Sequence, residues 1–222
     1  MSKSGIIQLG SMLLVSALAM AAHAETYNID TAHTDITFKV RHMGISNVTG
    51  KFEKFGGTFS VDPKNIKATK GNMTIDVNSI STGQPKRDGH LKSEDFFDVA
   101  HHPEMKFVSK EVKDVNEKDS TATLVGDLTI RGITKEVLLK IKGGGIINDG
   151  WGNERAAFTA NGTINRFDYG LKWNKALESG GLVVAPEVQL ILAFEGVRKL
   201  APAAPAKAEK AESAPAKAKP AK

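Results

Sequence analysis

A side-chain period of two runs through this chain from Ile36 to Phe194 and excludes most architectures. In "DITFKVR" the apolar set is Ile36, Phe38 and Val40, with Thr37, Lys39 and Arg41 between them. Met73, Ile75 and Val77 repeat the pattern, as do Ala122, Leu124, Gly126, Leu128 and Ile130. Val137, Leu139 and Ile141 follow, then Ala156, Phe158, Ala160, Gly162 and Ile164, and finally Val188, Leu190, Leu192 and Phe194. Strands wet on one face and dry on the other are the habit of antiparallel sheets. With "TYNID" added, the chain offers roughly nine such segments, mostly joined by short connections. Their dry faces must be hidden, either by stacking two sheets or by rolling one into a barrel. The period does not separate the two, but closure removes sheet edges and is the expectation.

Two stretches break the rhythm. In "VTGKFEKFGGTFSV" the apolar residues sit on even positions up to Phe52 and on odd ones from Phe55, so either two strands meet here or, as favoured, one long strand bends through a β-bulge near Glu53–Lys54. From Gln84 to Phe97 the alternation vanishes. Pro85 suits a helix start. Ser93 is placed to cap a second helical turn, with Glu94 and Asp95 where the dipole favours anions. Pro103 forces its predecessor extended, and "EMKF" restores the period. This reads as a helical excursion packed across one end of the sheet.

"RDGHLKSEDFFDVAHHPEMKF", within and beyond that excursion, is also the most chemical-looking run in the chain. His101 and His102 are adjacent and His90 lies eleven residues earlier, a poor spacing for a metal. Arg87, Asp88 and His90 are the residues an enzyme would use, yet no GxSxG, HExxH, SxxK or phosphate-binding Gly loop accompanies them. A structural role accounts for them: Arg87 and Asp88 tie the helix to a neighbouring loop, and the aromatics anchor it. No catalytic residue, metal or cofactor is assigned.

The two ends of the chain are different material. Lys3, the apolar "GIIQLGSMLLVSALAMAA" and "AHA" at Ala22 to Ala24 form a secretory leader, residues 1–24, expected to be cleaved near Ala24. Residues 201–222 are Ala, Pro, Lys and Glu with one Ser, a composition expected to stay disordered. That tail carries five Lys and two Glu, so with Lys3 also gone the net charge of +5 falls to +1 for residues 25–200. A nucleic-acid partner therefore has little support. With no Cys, the folded part relies on its core, and 176 residues suffice for one domain.

"IDTAHTDITFKVRHMGISNVTGKFEKFGG", "SISTG", "RDGHLKSEDFFDVAHHPEMKF", "GDLTIRGITKEVLL" and "RFDYG" resemble, in order, the signatures of the YceI-like family of bacterial envelope proteins, from about Tyr27 to Arg198. The resemblance implies a periplasmic, lipocalin-like antiparallel barrel of eight strands with a helix at one mouth. It further implies an enclosed polyisoprenoid or similar lipid and no catalytic set. The Ala/Pro/Lys tail departs from the family pattern.

Eight strands make about the smallest barrel that holds a ligand along its axis. Strands of eight to ten residues would give a tunnel of roughly 30 Å. The inward positions expected to contact a long-chain guest are Phe38, Val40, Phe52, Phe59, Met73, Ile75, Met105, Phe107, Leu128, Phe158 and Leu190. The same residues would equally interlock into a solid core. Gly126, Ala156, Ala160 and Gly162 favour a cavity, because small inward residues remove volume from the middle. Trp173 reads as a lid residue at a mouth or a head-group contact. Transient membrane contact is consistent with such a carrier, and the oligomeric state stays open, a dimer included. The rivals are an enzyme acting on a lipid-like substrate through Arg87, Asp88 and His90, and an envelope-interaction module with a solid barrel.

Overall fold

The computed structural model describes residues 24–178 and 180–200. The expected leader, apart from Ala24, and the tail at 201–222 lie outside the described residues. Eleven strands follow in order: β1 (Glu25–Ile29), β2 (Asp35–His42), β3 (Ser46–Phe52), β4 (Phe55–Val61), β5 (Lys70–Asp76), β6 (Ile80–Ser81), β7 (Glu104–Asn116), β8 (Thr121–Ile130), β9 (Ile133–Asn148), β10 (Asn153–Asn165) and β11 (Val184–Lys199). One α-helix, α1 (Pro85–Lys92), interrupts them. The sheet runs β1-β4-β5-β7-β8-β9-β10-β11 and closes because β11 also pairs with β1. The result is a closed antiparallel barrel of eight strands.

Three of its eight walls are made in two pieces. β2 continues the path of β1 along β11, β3 and β4 form the next wall, and β5 and β6 the third. At Glu53–Lys54 the structure breaks the wall into two strands, β3 and β4, in place of the favoured single strand bent by a bulge. Backbone groups freed at such a break need partners. The N–H groups of Glu53 and Lys54 both donate to Ser79 Oγ, at 3.1 and 2.9 Å. In the first wall Thr34 Oγ1 accepts from the N–H of Glu195 at 3.1 Å, so β11 keeps a partner across the gap. Four of the five uninterrupted walls are longer than expected, with 13 residues in β7 and β10 and 16 in β9 and β11, while β8 has ten. Thirteen residues at ~3.3 Å each, tilted by about 40°, give a barrel roughly 30 Å tall.

The apolar set falls inside as the period requires. Ile36, Phe52, Ile75, Leu124, Val137, Leu139 and Ala160 are buried in one continuous cluster. Outward residues are not all wet: Thr123 and Val125 of β8 are buried too, Thr123 accepting from Lys140 Nζ at 2.8 Å and donating to Asp114 at 2.9 Å. Long cross-strand side chains cover that stretch of the outer face, which a simple alternation does not foresee.

The helical excursion is where it was expected, with one correction. Gln84 caps α1, its side-chain oxygen accepting from the N–H groups of Lys86 and Arg87, and Pro85 takes the first helical position. Ser93 starts no second helix. It ends the first, its hydroxyl donating to the carbonyl of His90 at 2.8 Å, and residues 94–97 form turns. A hydroxyl that can reach the preceding turn's carbonyl competes with the capping role.

Candidate ligand cavity

The barrel is hollow. A cavity of about 700 Å³ runs inside it, lined by residues from both ends and from every wall. Its volume is that of a small-molecule pocket. Phe38, Val40, Phe52, Phe59, Met73, Ile75, Met105, Phe107, Leu128, Phe158 and Leu190 all stand on its wall. Several of them, including Phe38, Phe107, Phe158 and Leu190, face inward yet remain partly accessible, because the space before them is empty.

The reason for the hollowness differs in part from the expectation. Ala156 and Ala160 line the cavity, but Gly126 and Gly162 do not. Their missing side chains make room for neighbours: the Phe107 ring lies where a Cβ on Gly126 would be, and Leu139 crowds the same place at Gly162. Phe38 lies over Gly50 and Phe59 over Gly196 in the same way. Glycines on the wall therefore let aromatic rings fold flat against the sheet, and the rings' retreat from the axis leaves the lumen open. Tyr27, Phe59, Phe158 and Phe194 then pack in sequence, with centroids 5.4, 5.1 and 4.8 Å apart. Each such pair contributes about 0.5–1.5 kcal/mol beyond area burial.

The two ends are unlike. At the end where β4 meets β5 and β9 meets β10, the lining residues Pro63, Lys64, Asn116, Glu117, Ser120 and Gly143 are exposed, so this is the mouth. At the other end Phe96, Arg166, Tyr169 and Leu171 are buried on the cavity wall and close it. Part of that closure comes from the excursion, whose Leu91, Phe96 and Phe97 form the wall there. The rest comes from a 3-10 turn at Arg166–Tyr169 after β10, ended by Gly170 at φ +78°.

The chemical-looking segment is held by its own contacts. Arg87 Nε donates to Thr82 Oγ1 at 2.7 Å and its Nη2 to the Thr82 carbonyl at 2.9 Å, while Asp88 accepts from the Thr82 N–H at 2.9 Å. His90 pairs with Asp95 at 2.8 Å and lies edge-on to Phe96 and Trp173. None of Arg87, Asp88 and His90 lines the cavity, so the geometry brings no acid–base group of this segment to it. Trp173 packs on His90 and Phe96 at the closed end, outside the lining set. His101 pairs with Asp98, whose carboxyl is held below its usual range chiefly by that hydrogen bond. Arg131, in the two-residue β8–β9 turn with Gly132, donates to the Phe96 carbonyl at 2.9 Å. Both turn residues have φ near +50 to +73°, a type I′ hairpin. The "GDLTIRGITK" run thus supplies a ring bed at Gly126, a tight turn and a staple for the closing segment.

Charged groups near the mouth are paired with one another. Arg155 donates to Glu195 at 2.5 Å, to Asp30 at 2.8 Å and to Asp149 at 3.3 Å. Asp30 is held at about 2, first by the hydrogen bond from His33 and then by Arg155. Asp149 is held at about 2 chiefly by hydrogen bonds from Asn153. Asp30, His33 and Glu195 cluster closely enough to hold a cation, but the Arg155 guanidinium already lies between two of these carboxylates. Inside the wall, Tyr27 donates to Glu154 at 2.6 Å and Arg198 to the same oxygen at 2.8 Å.

Sequence reasoning missed Arg166 and Tyr169 as wall residues. The signal was present: Ala156, Phe158, Ala160, Gly162 and Ile164 point inward, and Arg166 continues their parity. A 3-10 turn repeats every three residues, which brings Tyr169 to the same face as Arg166. The charge on Arg166 concealed both.

The comparisons agree with this geometry. A model of the YceI-like domain matches residues 27–196, and the chain belongs to the YceI-like family. A UPF0312 protein of Pectobacterium atrosepticum is 42% identical over 194 residues, 85% of this chain and 96% of the relative. The crystal structure of the YceI protein from Campylobacter jejuni shares the fold at TM-score 0.61 and 31% identity, over 77% of this chain and 96% of that one. A polyisoprenoid binding domain from Saccharophagus degradans has TM-score 0.53 at 16% identity, over 78% of this chain and 98% of that one, a likeness of fold alone.

Proposed function

We propose that this YceI-like barrel is an exported, periplasmic carrier or sequestering protein that holds a polyisoprenoid or similar long-chain amphiphile along its axis, and that it is not an enzyme. The observation that carries the reading is the apolar, one-mouthed cavity of about 700 Å³. A methyl-branched hydrocarbon tail has no polar atoms to satisfy, and each buried methylene stabilises by about 0.8 kcal/mol. The family membership and the ligand in the name of the Saccharophagus degradans domain support the same class of guest. Loading would proceed through transient contact of the mouth with a membrane, because a tail does not cross water freely.

The test is mass spectrometry of an organic extract from natively purified protein. A long-chain isoprenoid at near-stoichiometric yield is expected. Only bulk phospholipid at trace level would sink the assignment. Export is tested by fractionation: the mature chain should appear in the periplasm, starting at Glu25 after cleavage of residues 1–24. Alanine at Arg87, Asp88 and His90 tests the absence of catalysis. Lost stability is expected, whereas lost turnover of a lipid substrate with retained binding would establish an enzyme.

A further inference from the structure

The β9–β10 hairpin projects from the mouth. Lys142 is the last residue of β9 to pair with β8, so residues 143–148 and the turn after them run on beyond that neighbour. At the tip Trp151 is 85% exposed, and Ile147 on β9 is 64% exposed. The turn uses the Trp151 N–H, which donates to Asp149 at 2.8 Å, but it has no use for the indole, which meets no ring and no acceptor among the described residues. Tight turns are ordinarily built from Gly, Asn and Asp, as the rest of this one is. A large apolar side chain there is left for something outside the fold.

Around that tip the free charge is positive. Lys64 and Lys67 lie between β4 and β5, Lys70 starts β5, Lys118 is in the β7–β8 turn, Lys142 is on β9 and Lys199 ends β11. All are exposed, and among the described residues none is paired with a carboxylate. The rim acids are mostly taken. Glu25 and Glu154 meet Arg198, Asp149 meets Arg155, Asp119 accepts from Asn116, and Asp62 is buried and accepts from the Lys64 N–H. Glu117 is the acid left over. The chain also continues from this place: the Leu200 N–H donates to the Gly152 carbonyl at 3.0 Å, next to Trp151, so residues 201–222, with five Lys and two Glu, start at the mouth.

We propose that the mouth face is a docking surface for an anionic lipid bilayer, with Trp151 and Ile147 dipping into the head-group layer and the rim and tail lysines drawn to its charge. This rests on the carrier reading and deepens it: the transient contact acquires a lipid class, an anchor and an orientation. Tryptophan is favoured at the membrane–water boundary, where its ring is apolar and its N–H stays within reach of polar groups. Lysines near a negative surface add attraction that salt screens. A soluble polyanion would meet the lysines but leave Ile147 in water, so the apolar tip favours lipid. The two signals together hold the protein reversibly, as a carrier that must leave again requires. Docked this way the lumen, whose rim includes Ile66 and Ile146, opens onto the bilayer, and a hydrocarbon tail passes across without entering water.

The experiment uses natively purified protein, the absence of residues 1–24 verified by mass, with vesicles of phosphatidylcholine alone or mixed equally with phosphatidylglycerol. Flotation gives the affinity, and brominated acyl chains report tryptophan burial by quenching. Binding should be about tenfold or more tighter to the anionic vesicles and should weaken as salt rises from about 0.05 to 0.5 M. Trp151→Ser should weaken it about tenfold and abolish the quenching, since Trp173 packs on His90 and Phe96 at the closed end. The melting temperature of that variant should not change, because the indole has no partner to lose. Removing residues 201–222 should weaken anionic binding about tenfold and leave quenching of the bound fraction intact. Equal affinity for the two vesicles, unquenched emission, or a Trp151→Ser variant that binds like the native protein overturns the docking surface. A truncated chain that binds as tightly as the whole overturns the tail's part in it. Equally tight binding to soluble polyphosphate, insensitive to Trp151→Ser, overturns the lipid in favour of a polyanion. Uptake of a fluorescent long-chain probe in vesicle-free solution reads the carrier function separately: uptake without docking sinks this surface alone, and docking without uptake sinks the carrier reading and supports the surface.

Discussion

Charge is handled in opposite ways at the two ends of the barrel. Near the mouth Arg155 and Arg198 meet carboxylates, each cation matched by one or more anions on the adjacent strands. At the closed end Arg166 meets carbonyl dipoles and the rings of Phe96 and Phe167, and Tyr169 meets no acceptor. Matched groups tie strands together and ask for nothing more. At the closed end the chain's own backbone and rings hold the cation, which fixes the closing turn in place. The contrast lies in how a buried charge is compensated, by opposite charge near the mouth and by backbone carbonyls and rings at the closed end.

The largest test of that contrast is Arg166→Met. It takes a donor from four carbonyls, of which Val184 keeps Asn174 Nδ2 at 2.6 Å, and the protein should lose about 3 kcal/mol or more in urea denaturation. An unchanged midpoint would show that the arginine is not a structural floor. Leu190→Trp should leave stability within about 1 kcal/mol, because the ring enters vacant space. Affinity for a fluorescent long-chain probe should fall at least tenfold, equivalent to about 1.4 kcal/mol. Retained binding would place the guest elsewhere.

At the mouth, acid is the sharper tool. Asp30 and Asp149 are held at about 2 in the folded state against an ordinary 3.8. Their folded values are depressed, so their stabilisation is complete above about pH 4 and disappears as the pH falls through 2. Asp149→Asn should flatten the acid limb of the stability profile, read by denaturant titration between about pH 5 and pH 2.5. An unaltered limb would mean that the Asp149 latch is idle. The smallest effect is expected from Gln84→Ala, which removes the cap of α1 and should cost about 0.5–1 kcal/mol. Guest affinity should not change, since Gln84 is exposed and absent from the cavity wall.

The barrel was legible because its rule is local. A period of two places Phe38, Met73, Leu128 and Leu190 on one face whatever the rest of the chain does, and the parity slip after Phe52 marked the broken wall. Hollowness was not legible to the same degree. Whether Gly126 opens space or beds a ring depends on the rotamer of Phe107 on the next strand, which no single segment encodes. Ser93 was misassigned for a similar reason: a serine after a helix and a serine before one look alike until the hydroxyl's partner is known. The closed end was hidden because the carbonyls that hold Arg166 inside come from residues 171, 173, 184 and 185, which the alternation of β10 does not encode.

β6 has only two residues and pairs with β3 alone, so above the break the hydrogen-bonded wall stops short of β7. The segment from Gln84 to Pro103 stands in that gap as a plug, with the Val77 N–H donating to the Pro103 carbonyl at 2.9 Å. Capacity and register are therefore governed by different parts. Lengthening, shortening or resculpting the plug would change how much guest fits without shifting any stave against its neighbour, which makes it the natural place for one barrel design to be adapted to different cargo.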